Sequence, residues 1–414
     1  MDYFRSVAGI PKRQLKNVRN VLTRRPLTSP SLGSVTLDQD DIDLARAALR
    51  DRSRWYEPEE TATYEEAFAR WNGSKAAFAL MGGRVALSAC LHALGLKEGD
   101  EVIVPGYTCV VVANAFLFAG VKAVYSDIEL ESYGLDADPL EKKITSRTRA
   151  VVVQHLYGLV SRDYEAVIDL ARRKGLFVIE DCAHATGAEF KGIKVGNCGD
   201  VAIYSGEQSK VFTTIHGGFA VANDESLIKG LRAYKEKAPY PDETWIERQL
   251  HTVILNYYLF KHPQRWWRGD LARIMHGRYR VGPLVGDEMR GVQPEHYGRK
   301  MPAPIAAIGM NQLGKIDEYN ERRRRNAERW HRWCDENGYK RPLVIEGSVP
   351  VYLRYPVLVE PEKKQDFSWA KKTLNVTPGV WYESHIHPTE RPVEGCPNAD
   401  KAIKSCINFP CLLD

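Results

Sequence analysis

The chain lacks the features that mark membrane, metal-binding and nucleic-acid-binding proteins. Its longest apolar stretch, residues 110–121, is interrupted by Asn114 and is too short to span a bilayer. The first 25 residues contain no apolar core of the kind a secretory signal needs. None of the eight cysteines forms a C-x-x-C pair or a zinc-ligand spacing, and several sit in apolar runs where a reduced thiol acts as a small hydrophobe. A reducing cytoplasm is therefore the expected compartment. Net charge is only +5 over 414 residues and no helix-turn-helix pattern appears, which argues against a specific nucleic-acid partner. Proline and glycine are near average usage, so neither a collagenous nor a disordered chain fits.

A long soluble chain with 44% hydrophobic residues remains, enough for two or three domains. Residues 1–25 carry seven basic side chains against one acid, Asp2, with apolar residues at near-helical spacing. This segment reads as a basic amphipathic arm, either packed on a neighbour or set against an anionic membrane surface, and residues 26–33 read as its linker. From residue 34 to about 235, short β-branched runs alternate with helical patterns, the signature of βα units on a mainly parallel sheet. Strands are expected at 101–104, 123–127, 150–154, 176–180, 201–204 and 219–222. Residues 236–300 break the rhythm with aromatic and basic residues, including Trp266 and Trp267, and read as an insertion that either walls a substrate site or contacts a membrane or a second subunit. Residues 301–414 are expected to form a smaller α+β domain, with the basic pair Arg323 and Arg324 on a solvated helix face.

Three segments carry chemistry. Phe177-Val178-Ile179-Glu180-Asp181-Cys182-Ala183-His184 is an apolar strand that delivers an acid to its C-terminal end, where open α/β sheets place their ligands. Asp181 there can pair with a protonated ring nitrogen, or it can cap a helix. A later strand ends in Tyr204-Ser205-Gly206-Glu207-Gln208-Ser209-Lys210, followed by Thr213, Thr214, Gly217 and Gly218. A lysine in such a loop can form an imine with a carbonyl cofactor if its amine is neutral. Finally, Met81-Gly82-Gly83-Arg84 precedes an apolar helix, a place where backbone N–H groups can hold a phosphate. An anion site, an acid for a ring nitrogen and a lysine for an aldehyde are together what pyridoxal 5′-phosphate (PLP) requires.

On these segments, and on Gly99-Asp100-Glu101-Val102-Ile103-Val104-Pro105, His155-Leu156-Tyr157-Gly158 and Ala306-Ala307-Ile308-Gly309-Met310-Asn311-Gln312-Leu313, the chain resembles the DegT/DnrJ/EryC1/StrS sugar aminotransferases. The resemblance implies the PLP-dependent transferase fold type I, a large α/β domain with a mainly parallel sheet plus a smaller C-terminal α+β domain. It implies that Lys210 is the aldimine lysine and proton shuttle, and that Asp181 is the partner of the pyridine nitrogen. His184 would lie near the cofactor ring, and Ser205, Gly83 and Arg84 at its phosphate. The implied reaction moves an amino group from an amino acid, usually glutamate, to a nucleotide-linked keto sugar, in a homodimer. A same-fold sugar dehydratase, which carries histidine in place of the lysine, and a non-catalytic regulator are the rival readings. The chain departs from the family at Cys109, where an aromatic residue usually stacks on the cofactor and Tyr107 is the nearest replacement. It departs also at Arg84, where a small hydroxyl residue is usual, and at Tyr297-Gly298-Arg299-Lys300. The His385 and His387 pair belongs to a stretch that approaches the active site in the family.

Overall fold

The computed structural model describes residues 35–261 and 286–412. The basic arm, its linker and the Trp266 and Trp267 pair lie outside them. Among the described residues, no helix is long and apolar enough to cross a membrane.

Two helices, α1 (Gln39–Arg50) and α2 (Pro58–Asn72), precede the sheet. α2 begins on a proline, whose missing N–H costs nothing at a helix start, and stops at Gly73, whose left-handed φ of 78° favours a residue without Cβ. There follow β1 (Ala76–Leu80), α3 (Gly83–Ala93), β2 (Glu101–Pro105), α4 (Val110–Phe118), β3 (Lys122–Ser126), α5 (Ala137–Lys143) and β4 (Thr148–Gln154). The series ends with α6 (Tyr164–Lys174), β5 (Phe177–Asp181), β6 (Val201–Ser205) and β7 (Gly218–Ala222). These seven strands form one sheet in the order β1-β7-β6-β5-β4-β2-β3. Only β7 runs against the others, because the chain turns back from β6 through residues 206–217 without a crossover helix. The C-terminal ends of β1, β2, β4, β5 and β6 therefore share one edge.

Six of the strands fall where β-branched runs predict them. β1 does not announce itself, since Ala-Ala-Phe-Ala-Leu has no β-branched residue, yet it pairs with β7 along its whole length and is almost entirely buried. Burial against the sheet outweighs its weak intrinsic propensity.

Apolar layers cover both faces. One joins α2, α6 and the underside of the sheet to α8 (Glu243–Asn256) and α9 (Ala303–Leu313). The other packs α3, α4 and α7 (Glu225–Lys237) on the opposite face. A third cluster surrounds Trp330 of α10 (Ile316–Asn337), whose ring stacks on Phe409 at 4.3 Å beneath the antiparallel pair β8 (Arg354–Leu358) and β9 (Cys406–Pro410). This is the C-terminal layer, and two expectations change with it. The boundary at 301 falls too early, because α9 packs on α1 and α2 and gives Ile305, Ala306 and Ile308 to the large core, so the layer begins near Ile316. Likewise α8, inside the expected insertion, places Ile246, Leu250 and Val253 in that same core. Arg323 is not on a solvated face either. It is fully buried, where its guanidinium donates to Asn320 Oδ1 at 2.8 Å and to the Val211 carbonyl at 2.6 Å, and desolvation lowers its pKa to about 9.

The face between α2 and β7 offers a direct test. Phe68 has no exposed surface and stacks on Phe219 with centroids 3.9 Å apart. Phe68→Ala is expected to lower the unfolding free energy by about 3–5 kcal/mol in urea titration. Phe177→Ala, at a position 37% exposed, should cost only about 0.5 kcal/mol.

Candidate functional site

The shared sheet edge opens on a cavity of about 470 Å³. Seven of the eight residues singled out from the sequence line it: Gly83, Arg84, Cys109, Asp181, His184, Ser205 and Lys210. Tyr107 does not. It is fully buried behind the wall, its hydroxyl 3.1 Å from that of Tyr157 and its ring edge-on to Tyr382 at 5.0 Å, so it supports a wall residue instead of facing the cavity.

At one end, α3 starts directly beyond β1. The amides of Gly83 and Arg84 fall in the first turn, where an α-helix has no acceptor of its own to offer. A Cβ on Gly83 would lie 3.2 Å from Ser205 Cβ, and one on Gly218 would lie 2.5 Å from the Tyr204 carbonyl and 2.6 Å from Gly83 N. Glycine at both places lets the helix start sit against the end of β6, with the Ser205 hydroxyl beside it. The Arg84 guanidinium is paired with Glu288, a buried acid from the short helix Gly286–Met289, and Asn114 Nδ2 donates to the Glu288 carbonyl at 2.7 Å. Glu288 has no local sequence signal, and only the fold brings it to the start of α3.

In the middle, the last two residues of β5 point to opposite faces of the sheet. Glu180 is satisfied by five donors. Its Oε1 accepts from the amides of Cys198 at 2.9 Å and Gly199 at 2.6 Å, and its Oε2 from Tyr164 Oη at 2.7 Å, Gly196 N at 2.8 Å and His155 Nε2 at 3.1 Å. Although desolvation opposes ionisation, these bonds and the neighbouring His155 hold its pKa below the ordinary value. Asp181, only 7% exposed, accepts from a single donor among the described residues, the Ala183 amide at 3.0 Å, and desolvation pushes its pKa up. A buried carboxylate so placed gains from a cationic N–H facing it.

Opposite lies Lys210 in the β6–β7 loop. The loop is closed by backbone bonds from Gly206 N to Gly217 O at 2.8 Å and from Thr214 N to Gly206 O at 2.9 Å. Gly217 is required there, since a Cβ would stand 2.3 Å from Thr214 Oγ1. Lys210 Nζ lies 2.8 Å from His184 Nε2 and 4.9 Å from the centre of the Trp381 ring. Although partly open to the cavity, the amine is surrounded by protein, and desolvation lowers its pKa against the opposing pull of Glu207, Cys109 and Asp181. This is what a nucleophilic lysine needs.

The aromatic ring expected near Cys109 is not there, and rings enter from elsewhere: Trp381, Tyr382 and Phe260 line the cavity together with His216 and His387. Trp381 packs on the His184 ring at 4.3 Å. Their stretch is held by backbone pairing of Ile386 and His387 with Thr108 and Cys109. The His-x-His pair does not act as one unit, because His387 faces the cavity while His385 is turned toward Asp400. The run Val380-Trp381-Tyr382, just ahead of that pair, was the available signal for these rings.

The site fits PLP on these observations: a glycine-enforced anion cradle at a helix start, a desolvated acid with room for an N–H donor, and a desolvated amine. The same architecture occurs in solved aminotransferases. TlmJ from Streptoalloteichus hindustanus superposes with a TM-score of 0.72 at 23% identity, covering 93% of this chain and 95% of that one. NtdA from Bacillus subtilis, solved with bound PMP, does so with a TM-score of 0.68 at 21% identity, covering 91% and 78%. The fold is that of the type I PLP-dependent transferases. Residues 36–257 and 275–414 match the model of the DegT/DnrJ/EryC1/StrS aminotransferase family, and the chain belongs to that family. A GDP-perosamine synthase from Escherichia coli O157:H7 is 41% identical over 265 residues, 64% of this chain and 60% of that protein. An L-glutamine:2-deoxy-scyllo-inosose aminotransferase from Streptomyces paromomycinus is 32% identical over 297 residues, 70% and 61% of the two chains. The matched region thus spans about 60% of the length of each of these relatives.

The contrast between the two acids can be measured. Glu180→Gln would set an amide NH₂ against amide donors and is expected to cost about 1–3 kcal/mol near neutral pH. Because the folded pKa of Glu180 lies below its ordinary 4.5, its contribution is complete above that value and is lost as pH falls through the folded one. The stability gap between wild type and variant should therefore narrow from about pH 6 to about pH 3.5 in urea titrations, and an unchanged gap contradicts the assignment.

Proposed function

We propose that the protein is a PLP-dependent sugar aminotransferase that moves an amino group from an amino acid, glutamate in the first instance, to a nucleotide-linked keto sugar. The observation that carries this reading is the convergence of Lys210, Asp181 and the Gly83–Ser205 cradle on one cavity in a chain of this family. The activities named for the two relatives support sugar and cyclitol substrates as a class, and the second supports testing glutamine as donor beside glutamate.

When bound, PLP supplies an aldehyde for amines and a ring that accepts electrons from the carbon under attack. The Gly83 and Arg84 amides and the Ser205 hydroxyl hold its phosphate. Asp181 keeps the ring nitrogen protonated, and in doing so gains the cationic partner that its burial demands. Lys210, as a neutral amine, would be the residue that takes up the aldehyde, with loss of water. When a substrate amine replaces it there, the freed lysine would hold the proton from the substrate carbon and return it one atom away, as base and then acid. Trp381 and Tyr382 cover the face from which the lysine works and keep bulk water from it.

A lysine at position 210 favours amino transfer over the dehydratase alternative, in which histidine takes that place. The two differ in product, amino sugar with a 2-oxo acid or deoxy sugar. Nucleotide-linked 3- and 4-keto sugars assayed with glutamate and with glutamine separate them and identify the donor. Purified protein is expected to show a visible absorption band that borohydride removes. Lys210→Ala should lose the borohydride-fixed label and lower turnover by about a thousandfold or more. Substantial residual turnover in that variant contradicts the role given to Lys210.

A further inference from the structure

His184 touches two groups that determine where its proton lies. The Tyr157 peptide N–H points at His184 Nδ1 from 3.3 Å, and Lys210 Nζ lies 2.8 Å from Nε2. A peptide N–H can only donate, so Nδ1 must be the unprotonated nitrogen of the ring. The proton of a neutral imidazole is then on Nε2, facing the lysine. An ammonium has no lone pair to accept it, and only a neutral amine does.

The geometry that aims this peptide is unusual. Tyr157 has φ 60° and ψ 4°, a left-handed conformation that a bulky side chain seldom adopts. Its ring is fully buried, the hydroxyl 3.1 Å from Tyr107 Oη and 3.7 Å from Cys406 Sγ, with Tyr133 edge-on at 5.2 Å. The next residue, Gly158, has φ 87°, and a Cβ there would meet Val351 Cγ2 at 2.6 Å and the Leu353 amide at 2.9 Å. A strained turn clamped on both sides and ending at a site residue indicates a positioning role.

We infer that the Tyr157–Gly158 turn fixes His184 as the Nε2–H tautomer, and that His184 in turn holds Lys210 as a neutral amine before the cofactor arrives. The inference deepens the proposed function and rests on Lys210 being the residue that captures the aldehyde. Tyr157 and His184 are thus positioning residues for the lysine. Burial of the imidazole, with the charge of Arg354 nearby, disfavours the doubly protonated ring that would break the Tyr157 bond. The groups facing Lys210 are Glu207 on its own loop, Cys109 beyond β2, Asp181 on β5, Arg84 on α3 and the Trp381 ring. Of these, Glu207, Cys109 and Asp181 favour the ammonium, whereas burial and Arg84 oppose it, and the Nε2–H of His184 acts on the same side as burial.

Nitrogen NMR of the full chain labelled with ¹⁵N-histidine, freed of cofactor with hydroxylamine, reads the tautomer directly, with the His184 signal assigned by its loss in His184→Gln. A ring protonated at Nε2 and bare at Nδ1 around neutral pH is expected, and an Nδ1–H tautomer or an imidazolium overturns the inference. The rate of PLP capture, followed by absorbance, is expected to be nearly flat in pH for wild type from about pH 7 to about pH 9. In His184→Phe it should be slower at pH 7 and rise with pH, as for a lysine mostly protonated at pH 7, about tenfold slower there when its pKa stands about one unit above the assay pH. Equal rates and equal pH profiles in the two proteins overturn the inference. Retained capture in Lys210→Ala would instead defeat the proposed attachment while leaving the tautomer measurement intact, so the two failures are distinguishable.

Discussion

Desolvation of ionisable groups that the protein itself leaves incompletely paired is the constraint from which the rest of the site follows. Glu180 and Asp181 make the point, being adjacent on one strand and both buried. Glu180 receives five donors and stays ionised below its ordinary pKa, whereas Asp181 accepts from one donor among the described residues and is pushed up. The first is a structural acid that ties β5 to α6 and to the turn at Gly196–Gly199. On the proposed reading the second is a binding acid, its burial offset by a ligand that brings a proton on nitrogen. Lys210 and His184 obey the same rule with the opposite sign, each driven toward its neutral form. Three groups suited to general acid–base work thus arise from burial.

Such burial requires an edge where several strands end together and a loop that returns to it. The reversal from β6 to β7 provides the loop. A crossover helix would have carried residues 206–217 over a face of the sheet, whereas the direct turn keeps Lys210 at the strand ends beside Asp181. The glycines at 83, 217 and 218 are the steric conditions of that turn, since each stands where a Cβ would strike a neighbour. The anion cradle and the lysine loop are therefore one packing unit, and a substitution at Gly218 would disturb both.

The parts legible in the sequence are those whose information is local. Strand runs followed by an acid, a lysine or a double glycine identify where ligands sit, and they led to the family and to seven of the eight residues found on the cavity wall. β1 was hidden because alanine-rich strands form only when a neighbour buries them. Trp381 and Tyr382 were missed as site residues because they reach the cavity from more than 150 residues beyond Lys210, and Glu288 because only the fold brings it to Arg84. Tyr107 was read as a stacking candidate by its distance in sequence from Cys109, but it lies just outside the Thr108–Cys109 bridge and its buried ring supports Tyr382 from behind. Arg323 looked solvated because it lies in a basic run, yet helical geometry turns one member of such a run inward.

This division also explains why a family can be recognised where a substrate cannot. On the proposed reading, the groups that meet the constant part of the ligand, its phosphate, ring nitrogen and aldehyde, come from the sheet edge within the stretch from Gly83 to Lys210. The walls left for the variable part come from Phe260 and from residues 380–387, segments attached to different helices and strands. Those walls are nevertheless anchored to the cofactor end, since Ile386 and His387 pair with Thr108 and Cys109 and the Thr108 amide donates to the His385 carbonyl at 2.8 Å. Cys109 and Trp381 both line the cavity, and Trp381 is the ring that packs on His184 and Lys210. On the proposed reading, the ring that covers the cofactor then belongs to the segment that also faces the sugar, so a change at Trp381 would alter cofactor electronics and acceptor choice together. In a site with its stacking residue at Cys109, the two could vary independently.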